Sequence, residues 1–135
     1  MTAKEYWNKA EQLRKRINRK IHEIYVLRQR AEGMNGSGMS DMPKTVSPEP
    51  NKIENAVCKI ITLEQEIRET QEEYDTLILT MQNCIRQIED EDARDLLMKR
   101  YIEFKPWQDI MCEMGYSESS CYRLHRTGLA ALKSY

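Results

Sequence analysis

The chain has 135 residues, of which 32% are charged and 40% hydrophobic, with five glycines and four prolines. This composition is typical of a helix-rich protein with one domain or two small ones. No stretch approaches the ~20 apolar residues of a membrane span, and no apolar core follows a basic start as in a secretory signal. We therefore expect a cytoplasmic protein without a membrane-spanning segment.

The first predicted element is a helix from about Ala3 to Glu32, a segment that contains no glycine or proline. Its apolar residues recur at alternating steps of four and three, which predicts a heptad seam along a helix of about 30 residues. Only Lys20 interrupts this seam. The seam residues are Tyr6, Ala10, Leu13, Ile17, Ile24, Leu27 and Ala31.

Residues 33–51 are rich in glycine, proline and short polar side chains, which predicts a flexible linker. Asn51 is then a candidate cap for a second helix that begins near Lys52. From Ile53 to Ile88, eleven consecutive seam positions contain one polar residue, Thr70. This regularity is typical of a coiled coil.

The charges of the two helices are opposite. Residues 1–31 carry nine basic and three acidic side chains, whereas residues 52–92 carry four basic and eleven acidic ones. This segregation favours antiparallel pairing of the two helices. The basic run at residues 14–20 could instead contact nucleic acid, but opposite an acidic helix part of its charge is neutralised. We therefore predict that residues 1–90 form a coiled-coil helical hairpin, which also makes the protein a homo-oligomer, most simply a dimer.

Residues 91–135 have a shorter pattern that predicts three small helices. The acidic run at 89–92 suits the positive end of a helix of about twelve residues that begins near Ala93. Pro106 is placed as the first residue of the next helix, and Gly115 supplies the left-handed position that ends it. Ser117 then caps the final helix. This arrangement is a helix-turn-helix, so the predicted fold class is all-α, a long antiparallel hairpin followed by a three-helix head.

The outer face of the final helix is polar and basic, as in a recognition helix that enters the major groove of double-stranded DNA. Arg123 could pair with guanine, and Tyr122 could stack or bind phosphate. The alternative interpretation is that Arg123 and Arg126 are solvated charges. The predicted DNA-binding residues are Ser117, Ser119, Ser120, Tyr122, Arg123 and Arg126, with Lys99, Arg100 and Lys105 as further phosphate contacts.

The head resembles region four of bacterial sigma factors. Leu97, Arg100 and Tyr101 match its L-x-x-R-Y helix, Asp109-Ile110 occupies the place of Glu-Ile, and Gly115 and Ser117 match the turn. Together with the helical N-terminal half, the chain is similar to the ArpU/RinA-type regulators of phages and prophages. This resemblance implies a late-gene activator that works with host RNA polymerase in a bacterial cell. It does not imply a sigma factor, because no segment resembles the region that melts promoters.

Two other classes of function are a DNA-packaging or assembly subunit and an enzyme. A coiled coil with a small helical head also suits a DNA-packaging subunit of the terminase type or an assembly subunit, which would form a larger ring. An enzyme is disfavoured because the sequence has no phosphate-binding glycine loop and no nucleophile elbow. The four cysteines have no Cys-x-x-Cys spacing and the two histidines are far apart, so we expect no metal site and no cofactor.

Overall fold

The computed structural model describes residues 2–36 and 50–132, and every element within them is helical. This confirms the predicted all-α class. The elements are α1 (Ala3–Gly36), α2 (Pro50–Arg86), α3 (Glu91–Leu97) followed by a π-helical segment (Met98–Ile102), α4 (Trp107–Met114) and α5 (Glu118–Ala131). None of the helices described is long and apolar enough to cross a membrane.

The predicted linker at 33–51 is helical at both of its ends, and its residues 37–49 lie outside the described part of the chain. Helix α1 continues through Gly33 to Gly36, since a glycine costs an established helix only about 1 kcal/mol. Helix α2 begins at Pro50, where the missing proline N–H would have no partner inside the helix in any case. Asn51 is therefore inside the helix, and the prediction that it is the cap was wrong.

The chain divides into two compact units. One unit, Gln12–Glu73, is called the hairpin unit below, and the other, Met1–Glu11 with Tyr74–Tyr135, is called the head unit. The predicted boundary near residue 90 does not coincide with this division. The reason is that the start of α1 and the end of α2 bury their seam residues in the core of the head unit.

In the hairpin unit, seam residues of α1 such as Leu13, Ile17 and Ile24 are buried. Two ion pairs join the helices, Lys20 Nζ to Glu66 Oε2 at 2.6 Å and Arg28 Nη2 to Glu64 Oε1 at 3.3 Å. These pairs connect the basic helix to the acidic one, as the charge segregation predicted. Thr70, the polar seam residue, satisfies its buried hydroxyl by donating to the carbonyl of Glu66 at 2.8 Å.

The antiparallel direction of the hairpin is visible in which residues share a cleft. Leu27 and Leu63 line one cleft, and Ala31 and Ala56 line the next, so later residues of α1 lie beside earlier residues of α2. All four belong to the predicted seams. The hairpin is therefore closed by its own seam residues.

The core of the head unit combines residues from every one of its helices. Tyr6 from α1 donates its hydroxyl proton to the carbonyl of Tyr101 at 2.7 Å, and both side chains are buried. Burial of so many large apolar groups supplies most of the stability of a small unit. The buried core residues are Tyr6, Met81, Ile85, Ile88, Ala93, Leu96, Leu97, Tyr101, Ile110 and Cys121.

The predicted twelve-residue helix near Ala93 is present over residues 91–102, but it begins two residues earlier and changes its winding. Asp90 caps it by accepting a hydrogen bond from the backbone N–H of Ala93 at 3.1 Å. The last five residues form the π-helical segment, and Phe104 then adopts a left-handed φ of 56°. Pro106 has an extended backbone and is the residue before α4 rather than its first residue, which corrects that prediction by one position.

The turn between α4 and α5 follows the sequence prediction. Gly115 has φ 70° and its N–H donates to the carbonyl of Met111 at 2.9 Å, which ends α4. A left-handed residue of this kind is most stable as glycine. Ser117 caps α5 by accepting a hydrogen bond from the N–H of Ser120 at 3.3 Å.

Candidate nucleic-acid interface

Helix α5 has one face in the core and one face in solvent. Cys121 and Gly128 are buried, while Leu124, Leu129 and Leu132 pack against the core from its edge. Residues three and four positions apart share a helix face, so the polar residues between them point outward. The outer face of α5 includes the exposed residues Ser119, Tyr122, Arg123, Arg126 and Thr127, with Ser120 half-buried at its margin.

Ser117, Ser119 and Ser120 form a small hydroxyl cluster at the start of α5. Besides accepting from the N–H of Ser120, the Ser117 hydroxyl donates to Ser120 Oγ at 3.1 Å and lies 3.3 Å from Ser119 Oγ. Ser117 and Ser120 are therefore engaged in ordering the first turn. Ser119 is exposed, whereas Ser120, the other predicted DNA-binding serine within α5, is half-buried.

Arg123 and Arg126 lie on the outer face of α5 and are exposed. Within residues 2–36 and 50–132, neither guanidinium forms an ion pair or a hydrogen bond. Two such groups one helical turn apart could each donate bidentately to a guanine or a phosphate. Neither guanidinium would first have to break a hydrogen bond or an ion pair to another of the described residues.

Tyr122 is 38% exposed, and its ring lies 5.0 Å from that of Trp107 at an angle of 55°. Trp107 is in turn held by His125, whose ring is 5.0 Å away in an edge arrangement. An aromatic side chain that packs against another ring on one side and is exposed to solvent on the other offers a rigid surface for stacking or for phosphate contact. This geometry suits the role predicted for Tyr122.

Arg100 is half-buried, and its guanidinium packs against two tryptophan rings of the head unit. Its guanidinium carbon lies 4.3 Å from the ring centroid of Trp7 and 4.9 Å from that of Trp107. Its Nη1 also donates to the carbonyl of Lys105 at 3.0 Å. Sequence reasoning missed Trp7, although its place directly after the seam residue Tyr6 was a signal that it packs at the edge of a core.

Lys99 and Lys105 converge on Glu113, a second residue that sequence reasoning missed. Glu113 Oε1 lies 2.6 Å from Lys105 Nζ and 3.2 Å from Lys99 Nζ. The hydrogen bond from Lys105, followed by that from Lys99, lowers the pKa of the Glu113 carboxyl, and the same Glu113 bond raises the pKa of Lys105. Phosphate contact by these two lysines stays a prediction, and it would require them to exchange Glu113 for a phosphate.

His125 packs at the inner edge of α5. Its Nε2 lies 2.8 Å from the hydroxyl of Tyr101, and the two rings stack at 5.8 Å. Burial lowers the pKa of His125, and the positive charges of Arg100 and Arg126 lower it further. The imidazole is therefore neutral near physiological pH, and it packs against the rings of Tyr101 and Trp107.

Comparison with known proteins places this chain in a family. The family model described as "Protein of unknown function (DUF1492)" matches residues 43–133, about two thirds of the chain, so the protein belongs to the DUF1492 family. The match includes all of α2 and the whole region from α3 to α5. No curated protein and no solved structure matches the chain.

Proposed function

We propose that this member of the DUF1492 family binds double-stranded DNA through the outer face of α5 and regulates transcription. The observation that carries the proposal is the contrast between the basic residues of the head unit. Arg123 and Arg126 are exposed and make no ion pair in the described part of the chain, whereas Lys99, Arg100 and Lys105 are engaged with Glu113 or with tryptophan rings.

The local geometry supports a recognition helix. A major groove about 12 Å wide admits one α-helix, and the first turns of that helix meet the base edges. In α5 these turns carry Ser119, Tyr122 and Arg123, while Arg126 follows one turn later. Arg123 is therefore the proposed base-reading residue, and Arg126 is the proposed phosphate contact.

The resemblance to sigma region four extends the proposal from DNA binding to transcription. It supports a phage or prophage late-gene activator of the ArpU/RinA type that acts beside host RNA polymerase in the bacterial cytoplasm. A single small head buries little surface on DNA, so specific binding favours two heads in one oligomer. The hairpin is the proposed source of the second copy.

The test is selection of binding sites from random double-stranded DNA, followed by titration of the selected and a scrambled duplex at fixed salt. Arg123→Ala should lower the affinity for the selected duplex by about 1–3 kcal/mol and reduce its preference over the scrambled one. Arg126→Ala should lower the affinity for both duplexes similarly. It should also reduce by about 1 the slope of the logarithm of affinity against the logarithm of salt concentration.

Arg19→Ala is the matched control, because Arg19 is an exposed arginine on α1 and belongs to the basic run that we place outside the DNA site. It should leave both affinities nearly unchanged. Equal binding of the selected and scrambled duplexes by the unmutated protein would contradict the proposal.

A further inference from the structure

The hairpin unit exposes an apolar strip beside its closed seam. Among the described side chains of this unit, four large hydrophobic residues are about half exposed: on α1, Ile21 at 51% and Tyr25 at 55%, and on α2, Val57 at 48% and Ile61 at 59%. We call these four residues the flank face. The antiparallel pairing of α1 with α2 already uses the seam, so it does not account for them.

The four residues lie on one side of the hairpin. Ile21 comes four residues after the seam residue Ile17, and Val57 comes four residues after the seam residue Ile53, so both occupy the same flank of their helices. Tyr25 and Ile61 each follow four residues later on that flank. In an antiparallel pair the equivalent flanks meet on the same side.

An ion pair verifies this placement. Arg28 and Glu64 also lie four residues after seam residues, Ile24 and Ile60 respectively, and their side chains meet at 3.3 Å. The flank of α1 is therefore next to the flank of α2. The opposite flank is marked by Arg30 and Lys59, which line a shared cleft.

We infer that the flank face is the surface on which a second copy of this chain packs, so that two hairpins form a four-helix bundle. The inference refines only the oligomer part of the proposed function. Half of a large aliphatic or aromatic residue exposes on the order of 100 Å². The strip then provides about 400 Å² per copy, half of the roughly 800 Å² that each partner buries in a standard interface. The charged residues beside it supply the remainder.

The charge distribution selects a second copy as the occupant. In the hairpin unit, residues 12–32 carry seven basic and two acidic side chains, whereas residues 52–73 carry three basic and six acidic ones. A two-fold axis parallel to the helices places α1 of each copy opposite α2 of the other. The dimer then contains two contacts between a basic helix and an acidic helix. A two-fold axis perpendicular to the helices would place α1 on α1, and like charges would repel.

The experiment is sedimentation of the 135-residue chain at several protein and salt concentrations. The wild-type protein should approach twice its 16.0 kDa. Ile61→Glu and Tyr25→Glu should each weaken the dimer at least about tenfold, since each places two carboxylates in an apolar interface. Higher salt should also weaken the dimer, because it screens the attraction between α1 and the partner's α2.

Leu79→Glu is the matched control. Leu79 is an exposed leucine of α2, 54% accessible, but it lies outside the hairpin unit and should leave the dimer constant unchanged. Circular dichroism would verify that each variant retains the helical content of the wild type.

Three results would overturn the inference: a monomeric wild type at all concentrations, equal weakening by Leu79→Glu, or a dimer that tightens as salt rises. A monomer that still prefers the selected duplex over the scrambled one would overturn this inference and leave the DNA-binding proposal standing. A protein that dimerises but does not prefer the selected duplex would overturn the DNA-binding proposal and leave this inference standing.

Discussion

Gly128 allows α5 to pack closely against α3, and replacing it should show how tightly the two helices are joined. A Cβ atom at Gly128 would lie 2.9 Å from Cδ1 and 3.0 Å from Cγ of Leu97. Leu97 is fully buried, so its side chain cannot swing into solvent to relieve the clash. Overpacking of this kind costs about 1–3 kcal/mol.

The helix propensity of alanine acts in the opposite direction. Alanine in a helix is more favourable than glycine by about 1 kcal/mol, so Gly128→Ala should lower the free energy of unfolding by a net ~0–2 kcal/mol. Leu97→Ala should cost about 2–5 kcal/mol by itself. In that background the obstructing atoms are gone, and Gly128→Ala should stabilise the protein by up to about 1 kcal/mol.

The assay is urea unfolding of the four proteins of this cycle, followed by far-ultraviolet circular dichroism. The expected result is a change of sign for Gly128→Ala between the two backgrounds, with a coupling of about 1–3 kcal/mol. An equal effect of Gly128→Ala in both backgrounds would refute the reasoning, because the clash with Leu97 would then play no part.

Three further predictions concern the head unit. Arg100→Lys should lower the free energy of unfolding in urea by about 1–2 kcal/mol, since an ammonium cannot stack on the two tryptophan rings as a guanidinium does. Arg123→Lys, at an exposed position, should leave that free energy unchanged. Equal stability of the two variants would contradict this prediction. The folded-state pKa of His125 lies below 6.5, so on acidification the unfolded chain takes up a proton at His125 before the folded protein does. The contribution of His125 to the free energy of unfolding is therefore complete above pH 6.5 and is lost as the pH falls from 6.5 toward the folded-state pKa. His125→Gln should remove this part of the decline in urea titrations, and an unaltered pH profile would disprove the assignment. Glu113→Gln should release Lys99 and Lys105, so that the salt slope of DNA binding steepens by up to about 2; an unchanged slope would mean that neither lysine contacts phosphate.

Local signals in the sequence predicted the helices and the turn. Heptad spacing identified the buried faces of α1 and α2, and Gly115 and Ser117 marked the end of α4 and the start of α5. Each of these features depends on residues close in sequence, where backbone preferences and capping act. The outer face of α5 followed from the same periodicity.

Contacts between distant segments could not be predicted in this way. A seam residue such as Tyr6 is expected to be buried, but periodicity does not say that its hydroxyl meets the carbonyl of Tyr101. The pairing of Lys99 and Lys105 with Glu113 likewise depends on how α4 packs beside the π-helical segment. The left-handed Phe104 had no sequence signal, because a large aromatic residue is a rare occupant of that conformation.

The hydrogen bond between Tyr6 and Tyr101 spans 95 residues of sequence, and this has a consequence for the order of folding. Closing a loop of that length has an entropic cost that the contact offsets only once it has formed. Contacts of long sequence separation therefore slow folding. We expect α3 to α5 to assemble early from local contacts and the start of α1 to dock onto them last. Formation of the completed head unit would then show that the start of α1 and the end of α2, and not only α3 to α5, have reached their folded positions.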